Sequence, residues 1–459
     1  MTWPWLIGSR APEVVREPAA LGSALADPRR LDAAFSALDQ RLRTGYRRHI
    51  AANHPELTLD WILNHRRAVR GWIMPRIRAC TYRVSPARMT RCLIGGKERA
   101  LFRFEWPDML VQMVLATALA ECAEARLHPS LFSYRKGRSV QQAVATALAG
   151  IAPHKGVPVY VLRRDVKSYG DSVPHDVLFT LLDEWLAPAD AFIRGLIRQF
   201  VSFDFLDPAG VLCRRTQGLP TGTALNCVLE NIYLSPMDTA AACVPGVTYV
   251  RYGDDLWASS TDKDAIADAG KRMDLVCAEL GLCWHRTKSE DVVLRMPGTR
   301  VDVSPPLPEP FQPARRVDHL GVSLLASGAV GVPAARVRLW RSQLRAVLRC
   351  VDRRTRAMGF SRQARLASLV RCANQFIAGG DPRVAHITHL LTMVTDARFF
   401  IELDQWVAEL ILAVLYGSFR RSHFRKTRYA VLKGLGLVSL HLLRQAMLRK
   451  KQVVPWSSC

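Results

Sequence analysis

The sequence has no two cysteines in a Cys-x-x-Cys spacing, although its 459 residues include 11 cysteines. Scattered thiols in an odd total exclude a zinc ribbon or a disulfide framework and favour reduced thiols, so we expect a cytoplasmic protein. No uncharged apolar run reaches the ~18 residues that a membrane span needs. Residues 1–10 lack a basic stretch followed by an apolar core, so we expect neither secretion nor membrane insertion.

Acidic residues are also scarce, with 40 Asp and Glu against 64 Lys and Arg, a net charge of +24. This excess favours a polyanionic partner, nucleic acid first and an anionic membrane surface as the alternative. It is concentrated after residue 330, where 23 basic residues face 6 acidic ones. Because 49% of the chain is hydrophobic, we expect a sizeable core divided among two to four domains.

One stretch places two adjacent carboxylates between apolar runs. Residues 249–260 predict two short strands joined by a tight turn, because Gly253 tolerates the backbone angles of a turn and the flanking residues favour strands. Asp254 and Asp255 at the tip repel each other unless a cation lies between them, which predicts a metal site. A solvated turn is the alternative for this stretch taken alone.

Two further signals precede this turn. Residues 157–165 predict a buried strand ending in Asp165, whose carboxylate is costly to bury without a partner such as Arg163, Arg164 or a cation. Residues 217–226 form a glycine-rich loop that leads into a predicted helix over 228–237. Glycines on both sides of a Leu-Pro pair allow the backbone to approach a flat ligand closely.

Weaker signals set the rest of the organisation. Gly95-Gly96 predicts a hairpin whose second strand carries cations along one face. Arginines interleaved with tryptophans mark a helical region over 1–85, six prolines over 297–313 predict a linker, and residues 318–322 predict a short strand. Residues 331–459 predict helices throughout.

In this order the three main signals resemble motifs A, B and C of the palm of template-directed polymerases, specifically of reverse transcriptases. The resemblance covers about 91–325, and upstream it is similar to the fingers of group II intron and retron enzymes. Group II and retroviral enzymes have a glutamine after the Leu-Pro or Thr-Pro pair, and this chain has Thr221 instead. A small residue there resembles the abortive-infection and unknown-group reverse transcriptases of bacterial antiphage defence.

The resemblance implies an α+β right-hand polymerase fold followed by an all-helical basic thumb and C-terminal region. The implied domains, in chain order, are a helical basic N-terminal extension (1–85), the fingers (86–156), the palm with motifs A to D (157–298), a linker with the primer-grip hairpin (299–330) and the helical nucleic-acid-binding region (331–459).

The resemblance also implies the site residues. Asp165, Asp254 and Asp255, with the backbone carbonyl of Val166, would hold two Mg²⁺ ions, Mn²⁺ being the alternative. The other implied roles are triphosphate binding by Arg91, Lys97 and Arg99, a general acid or electrostatic role for Lys288, and a floor under the template base or nucleotide formed by Gly218 to Gly222, including Thr221.

One departure concerns sugar selection. Five residues after Asp165, where reverse transcriptases place an aromatic side chain against the 2′ hydroxyl, this chain has Gly170. The adjacent Tyr169 is a substitute candidate for nucleotide binding, and without it we expect weak discrimination against ribonucleotides.

The leading hypothesis is an RNA-directed DNA polymerase in phage defence, with an RNA template, nucleoside triphosphates and a DNA product. A dedicated non-coding RNA or a second defence protein would be its partner. The alternatives are template-independent or protein-primed synthesis, an RNA-directed RNA polymerase, and a maturase-like RNA-binding scaffold.

Overall fold

The computed structural model describes residues 20–41, 59–94, 97–154, 156–186, 190–220, 222–295, 311–378 and 390–452. The chain divides into two compact units, one formed by residues 1–143 and 161–291, the other by residues 144–160 and 292–459. Thr221 and residues 297–310 of the predicted linker lie outside the described residues.

Helices dominate the described residues of both units. In chain order they are α1 Ala20–Leu25, α2 Pro28–Arg41, α3 Leu59–Asn64, α4 Arg66–Arg78, α5 Trp106–Ala123, α6 Val140–Ala149, α7 Tyr169–Ser172, α8 His175–Trp185, α9 Ala191–Val201, α10 Ala224–Tyr233, α11 Ser235–Ala242, α12 Lys263–Glu279, α13 Ala334–Ala357, α14 Arg362–Ala378, α15 Arg398–Tyr416, α16 His423–Lys426, α17 Tyr429–Gly434 and α18 Leu440–Gln452.

The strands are short and lie mainly in the first unit and at the start of the second. In chain order they are β1 Ala87–Ile94, β2 Lys97–Arg103, β3 Val159–Asp165, β4 Asp204–Leu206, β5 Leu212–Arg214, β6 Thr248–Tyr252, β7 Asp255–Ser260, β8 Glu290–Leu294, β9 Gln312–Ala314, β10 Arg316–His319, β11 Val322–Leu325 and β12 Val330–Gly331.

Two sheets organise the first unit. The strands β1 and β2 pair in antiparallel fashion, and β4 and β5 extend them to the order β2-β1-β4-β5. The second sheet runs β6-β7-β3-β8, so the hairpin of β6 and β7 lies beside the strand that ends in Asp165. On β3, Val161 and Leu162 are buried, and Gly270 of α12 packs close to Leu162.

The second unit combines small strands with long helices. Strand β9 pairs in parallel with residues 292–294 of β8, and β10, β11 and β12 form a separate antiparallel sheet. Helices α13, α14, α15 and α18 pack through buried apolar residues such as Leu344, Leu369 and Ile411. The predicted α+β class with a helical C-terminal region is therefore confirmed. No helix of the described part of the chain is both long and apolar enough to cross a membrane.

Two local predictions differ from the structure. The helix predicted over 228–237 is two helices, α10 and α11, because Pro236 cannot donate a backbone hydrogen bond and lies at the start of the second. The strand predicted over 318–322 is a hairpin: Leu320 and Gly321 take positive φ values of 48° and 79° and join β10 to β11. Adjacent positive φ values are those of a two-residue hairpin turn.

A buried acid on α5 gives this unit a pH-dependent stability. Asp108 accepts hydrogen bonds from the Tyr82 hydroxyl at 2.8 Å and from the Ser85 backbone N–H at 3.1 Å. Burial raises the pKa of Asp108 from 3.8 to about 6. In the unfolded chain the carboxyl keeps its ordinary pKa, so it loses its proton first as pH rises.

We predict that this carboxyl lowers the free energy of unfolding by about 3 kcal/mol as pH rises from about 4 to about 6. Above the folded-state pKa both states are ionised and the loss is complete. Urea denaturation across this pH range, compared between the wild type and Asp108→Asn, isolates the effect because other titrations cancel. A difference in stability between the two proteins that stays constant with pH would contradict the prediction.

Candidate active site

The carboxylates Asp165, Asp254 and Asp255 meet at one end of the β6-β7-β3-β8 sheet. Asp165 is the last residue of β3, and Asp254 lies at the turn between β6 and β7. Gly253 makes this turn with a φ of +67°. The backbone N–H of Val166 donates to the carbonyl of Asp254 at 3.4 Å, which joins the end of β3 to the hairpin tip.

The charges of these carboxylates act on one another. The pKa of Asp254 is raised, first by burial and then by the negative charges of Asp165 and Asp255. Neighbouring carboxylates disfavour each other's ionised form. A cation placed among them would relieve this repulsion.

Two basic side chains partner the acids. The ammonium of Lys288 lies 2.9 Å from both carboxylate oxygens of Asp165. The guanidinium of Arg163 donates to Asp255 at 3.4 and 3.5 Å. Lys288 reaches the site because His285 donates from its backbone to the carbonyl of Asp165 at 2.7 Å, which draws the segment after α12 alongside β3. Lys288, which the resemblance placed among the site residues, thus has its side chain beside Asp165.

The donor set fits the predicted divalent cation. Carboxylate and backbone carbonyl oxygens are the ligands that Mg²⁺ prefers, and Val166 adjoins Asp165 and Asp254. With the side chains placed as they are, no group of three or more acidic, histidine or cysteine residues among those described forms a metal-ligand cluster. The metal assignment of Asp165, Val166, Asp254 and Asp255 stays a prediction.

A fourth carboxyl and a tyrosine lie within electrostatic reach of Asp254, and neither was among the residues predicted from the sequence. Burial raises the pKa of Glu230 on α10 to about 7, with the charge of Asp254 adding to the rise. Asn226 donates to Glu230 at 2.6 Å. The hydroxyl of Tyr134 also has a raised pKa, caused first by burial and then by the charges of Glu230, Cys227 and Asp254. Only spatial proximity, which no local pattern encodes, identifies these residues.

The hairpin is held from behind by a buried ion pair. The guanidinium of Arg251, in β6, donates twice to Asp238 of α11, with both distances 2.6 Å. Both side chains are fully buried, and Tyr249 donates a further hydrogen bond to Asp238 at 3.0 Å. Arg251 also donates to the carbonyl of Asn231 at 3.1 Å. A lone arginine in an otherwise apolar strand was the available sequence signal.

The turn itself is anchored to the loop after α5. The hydroxyl of Ser133 accepts from the backbone N–H of Gly253 at 2.8 Å, and the side chain of Asn231 bonds both the hydroxyl and the carbonyl of Ser133. Ser133 therefore positions the carboxylate turn.

The glycine-rich loop is fitted against the segment after Asp165. Gly218 has a φ of +80°, and an added Cβ would lie 2.7 to 2.8 Å from Arg215 and from the carbonyls of Gly170 and Asp171. Arg215 donates to the carbonyls of Gly218 and Leu219, and its guanidinium covers Phe102 of β2. Gly222 is exposed with a φ of +90° and nothing near its Cβ position.

The two sugar-selection candidates have different surroundings. Tyr169 is buried, and its hydroxyl donates to the carbonyl of Glu230 at 2.7 Å, so its ring belongs to the core. Gly170 has open space where a Cβ would lie, and its carbonyl accepts from the backbone of Leu219. In this conformation Tyr169 does not substitute for an aromatic side chain at position 170.

The three basic residues predicted to bind the triphosphate lie on one hairpin but do not share one face. Residues opposite one another in an antiparallel pair point to the same side, and Arg91 pairs with Ala100 while Arg99 pairs with Cys92. Arg91 therefore shares a face with Glu98, which it approaches to 3.7 Å, and Arg99 lies on the other face. Lys97 begins β2, and its side chain lies outside the described part.

The residues brought together are Asp165, Asp254, Asp255 and Lys288, with the glycine-rich loop against the segment that follows Asp165. An acid at a strand end, a neighbouring hairpin that carries two acids, and helices packed on the sheet are the features that the resemblance implied for the palm of a right-hand polymerase. The predicted α+β class is confirmed here as well.

Comparison with known proteins finds a similarity over the region that contains this site. Residues 97–324 match the family model described as reverse transcriptase (RNA-dependent DNA polymerase). This match indicates an RNA-directed DNA polymerase, and such enzymes are nucleotidyltransferases.

Individual relatives are distant. A Schizosaccharomyces pombe protein described as an uncharacterized 91 kDa protein in cob intron is 29% identical over 174 residues, 36% of this chain and 20% of that protein. Apo telomerase from Candida tropicalis, truncated from its C-terminal domain, aligns with a TM-score of 0.41 and 11% identity over 54% of this chain and 56% of its own. Telomerase from Candida albicans, in complex with the TWJ fragment of telomeric RNA, aligns with a TM-score of 0.41 and 11% identity over 83% and 68%. The chain thus spans about a fifth of the curated relative's length.

We predict that Arg251→Met lowers the free energy of unfolding by about 3–5 kcal/mol, because it leaves the Asp238 carboxylate buried without its partner. The double variant Arg251→Met with Asp238→Leu removes both charges and should recover most of that loss. Urea denaturation of the wild type and these variants measures the effect. If the free energy of unfolding of Arg251→Met alone lay within about 1 kcal/mol of the wild-type value, the ion pair would not be required for stability.

Proposed function

We propose that this protein is an RNA-directed DNA polymerase that adds nucleotides by a two-metal-ion mechanism. The observation that carries the proposal is the convergence of Asp165 and Asp254 at adjoining backbone positions, where burial and then the charge of Asp165 raise the pKa of Asp254. The reverse transcriptase domain over 97–324 supports the choice of reaction.

Each predicted residue has a role that its chemistry allows. Two Mg²⁺ ions, when bound, would activate the attacking 3′ hydroxyl and stabilise the leaving pyrophosphate. Asp165 and Asp254 would hold them, aided by Asp255 and the Val166 carbonyl. Lys97 and Arg99 would bind the triphosphate, and Arg91 would contribute from the other face of the hairpin.

Lys288 would compensate negative charge at the same site. Its ammonium lies between the two oxygens of Asp165, so it offsets the carboxylate in the absence of substrate. Movement of the Lys288 ammonium from Asp165 toward the departing pyrophosphate would stabilise the leaving group. The ammonium would act either through its charge or by donating a proton.

The biological setting that we propose is bacterial antiphage defence, with RNA template, nucleoside triphosphates, DNA product and a dedicated RNA or second defence protein as partners. The support is the sequence Leu219-Pro220-Thr221, which resembles the corresponding loop of the abortive-infection and unknown-group reverse transcriptases. Plaque counts on cells carrying the wild type or the Asp254→Asn variant test this setting. Equal plaque counts with the wild type, the variant and no protein would exclude it.

We predict that Asp254→Asn lowers DNA primer extension on an RNA template by about a thousandfold, equivalent to about 4 kcal/mol, because a metal ligand is lost. Asp268→Asn is the matched control, since Asp268 lies in an exposed ion pair with Arg272 on α12. Extension is measured with Mg²⁺ or Mn²⁺ and with deoxyribonucleotides or ribonucleotides. No extension by the wild type, or equal rates in the two variants, would contradict the proposal.

The same assay separates the alternatives. Incorporation without template, or DNA that stays attached to denatured protein, would indicate template-independent or protein-primed synthesis. Exclusive use of ribonucleotides would indicate an RNA-directed RNA polymerase. RNA binding without any incorporation would indicate a maturase-like scaffold.

We predict that Gly170→Phe increases the preference for deoxyribonucleotides over ribonucleotides at least about tenfold, corresponding to about 1.4 kcal/mol or more. A Cβ has room here, because no atom of the described residues lies within 4 Å of its position. The ratio of kcat/KM for the two nucleotide sets measures the effect, with Gly170→Ala as the size control. An unchanged ratio in an active Gly170→Phe variant would show that this position does not face the sugar.

A further inference from the structure

The second unit contains a basic cavity that the polymerase site does not use. It has a volume of about 560 Å³ and lies between α13 and the C-terminal end of α15. Arg345, Arg349 and Arg353 line it from α13, and Leu410 and Val414 line it from α15. Its size is within the range of ligand-binding cavities in proteins.

The three arginines form a regular row. They follow one another at four-residue spacing, which places them on one face of the helix about 6 Å apart along its axis. Among the described residues, their guanidinium groups make no ion pair or hydrogen bond with other side chains. Three neighbouring cations without acidic partners repel one another and attract a ligand with regularly spaced negative charges.

The one acid of the cavity does not neutralise this row. Asp352 is buried and accepts from the guanidinium of Arg365 at 3.0 Å, and Arg356 lies 3.0 Å from its other oxygen. Arg365 of α14 and Arg356 of α13 therefore compensate the negative charge of Asp352. The net charge that the cavity presents is therefore positive.

An aromatic ring completes the site. Phe419 lines the cavity just after Gly417 ends α15 with a φ of +81°, and its side chain is 53% exposed. A row of cations with an exposed ring is the combination that single-stranded nucleic acid requires, since phosphates contact the cations while a base stacks on the ring. An acidic peptide would use the arginines but has no general need for the ring.

We propose that this cavity binds a short stretch of single-stranded RNA, with successive phosphates on Arg345, Arg349 and Arg353 and a base on Phe419. This inference rests on the proposed function, in which the protein handles an RNA template. A single row of cations beside an apolar wall suits one strand, because a duplex presents its phosphates along two separated ridges. The site is a binding site for RNA outside the catalytic carboxylates.

The test compares two triple variants of the full chain with the same loss of charge. Arg345→Gln, Arg349→Gln and Arg353→Gln remove the row, whereas Arg338→Gln, Arg354→Gln and Arg371→Gln remove exposed arginines that do not line the cavity. Fluorescence anisotropy measures binding of a labelled 12-nucleotide oligouridylate at several salt concentrations. Thermal unfolding checks that both variants fold like the wild type.

We expect the cavity triple variant to lose at least about tenfold in affinity and its log–log salt slope to fall by about 2, since three phosphate contacts are lost. The control triple variant should change neither quantity comparably. Phe419→Leu should weaken binding by about tenfold without changing the salt slope, because it removes stacking and no charge. Equal affinities and slopes in the two triple variants would overturn the inference, as would competition by polyglutamate as strong as that by RNA.

Failure of this inference is distinguishable from failure of the proposed function. A wild type that extends a primer while both triple variants bind RNA alike would overturn only the cavity assignment. A wild type that extends no primer while the cavity triple variant alone loses RNA affinity would overturn only the polymerase assignment.

Discussion

Repulsion among three carboxylates is the constraint on which the first unit depends. Asp165, Asp254 and Asp255 bring negative charges to one end of a sheet where burial already disfavours them. The chain places Lys288 against Asp165 and Arg163 against Asp255, and hydrogen bonds with Ser133 and Val166 anchor the turn that carries Asp254. The fold itself therefore supplies positive charge beside two of these acids.

Rigidity comes from polar groups that are fully buried and fully paired. Arg251, Asp238 and Asn231 connect the hairpin to the helices behind it, and Ser133 fixes the turn from the loop after α5. Removing one charged member of such a network costs more stability than removing both charged members, because the single removal leaves a buried charge unpaired. The geometry of the acidic turn thus depends on residues that are buried beneath it.

The sequence predicted the elements with strong local patterns. The hairpin around Gly253 and the strand ending in Asp165 follow from short apolar runs bounded by a glycine or an acid, and the structure has both of them. Strands β4 and β5 have only three residues each, too few for a pattern, and Pro236 divided a helix that apolar spacing alone predicted as continuous. Glu230, Tyr134 and the Arg251–Asp238 pair depend on contacts between distant parts of the chain. The roles assigned to the predicted site residues stay predictions.

The hydrogen bond between the Gly170 carbonyl and the Leu219 backbone connects two functions that are usually considered separately. One end of this bond lies where we expect the nucleotide sugar, and the other belongs to the loop expected under the template base. A Cβ at position 218 would also meet Arg215 and the carbonyls of 170 and 171, so the two segments are closely packed. We therefore expect that a change in the backbone at position 170 is transmitted to the loop, whereas a side chain added there, which points into open space, changes the sugar contact alone.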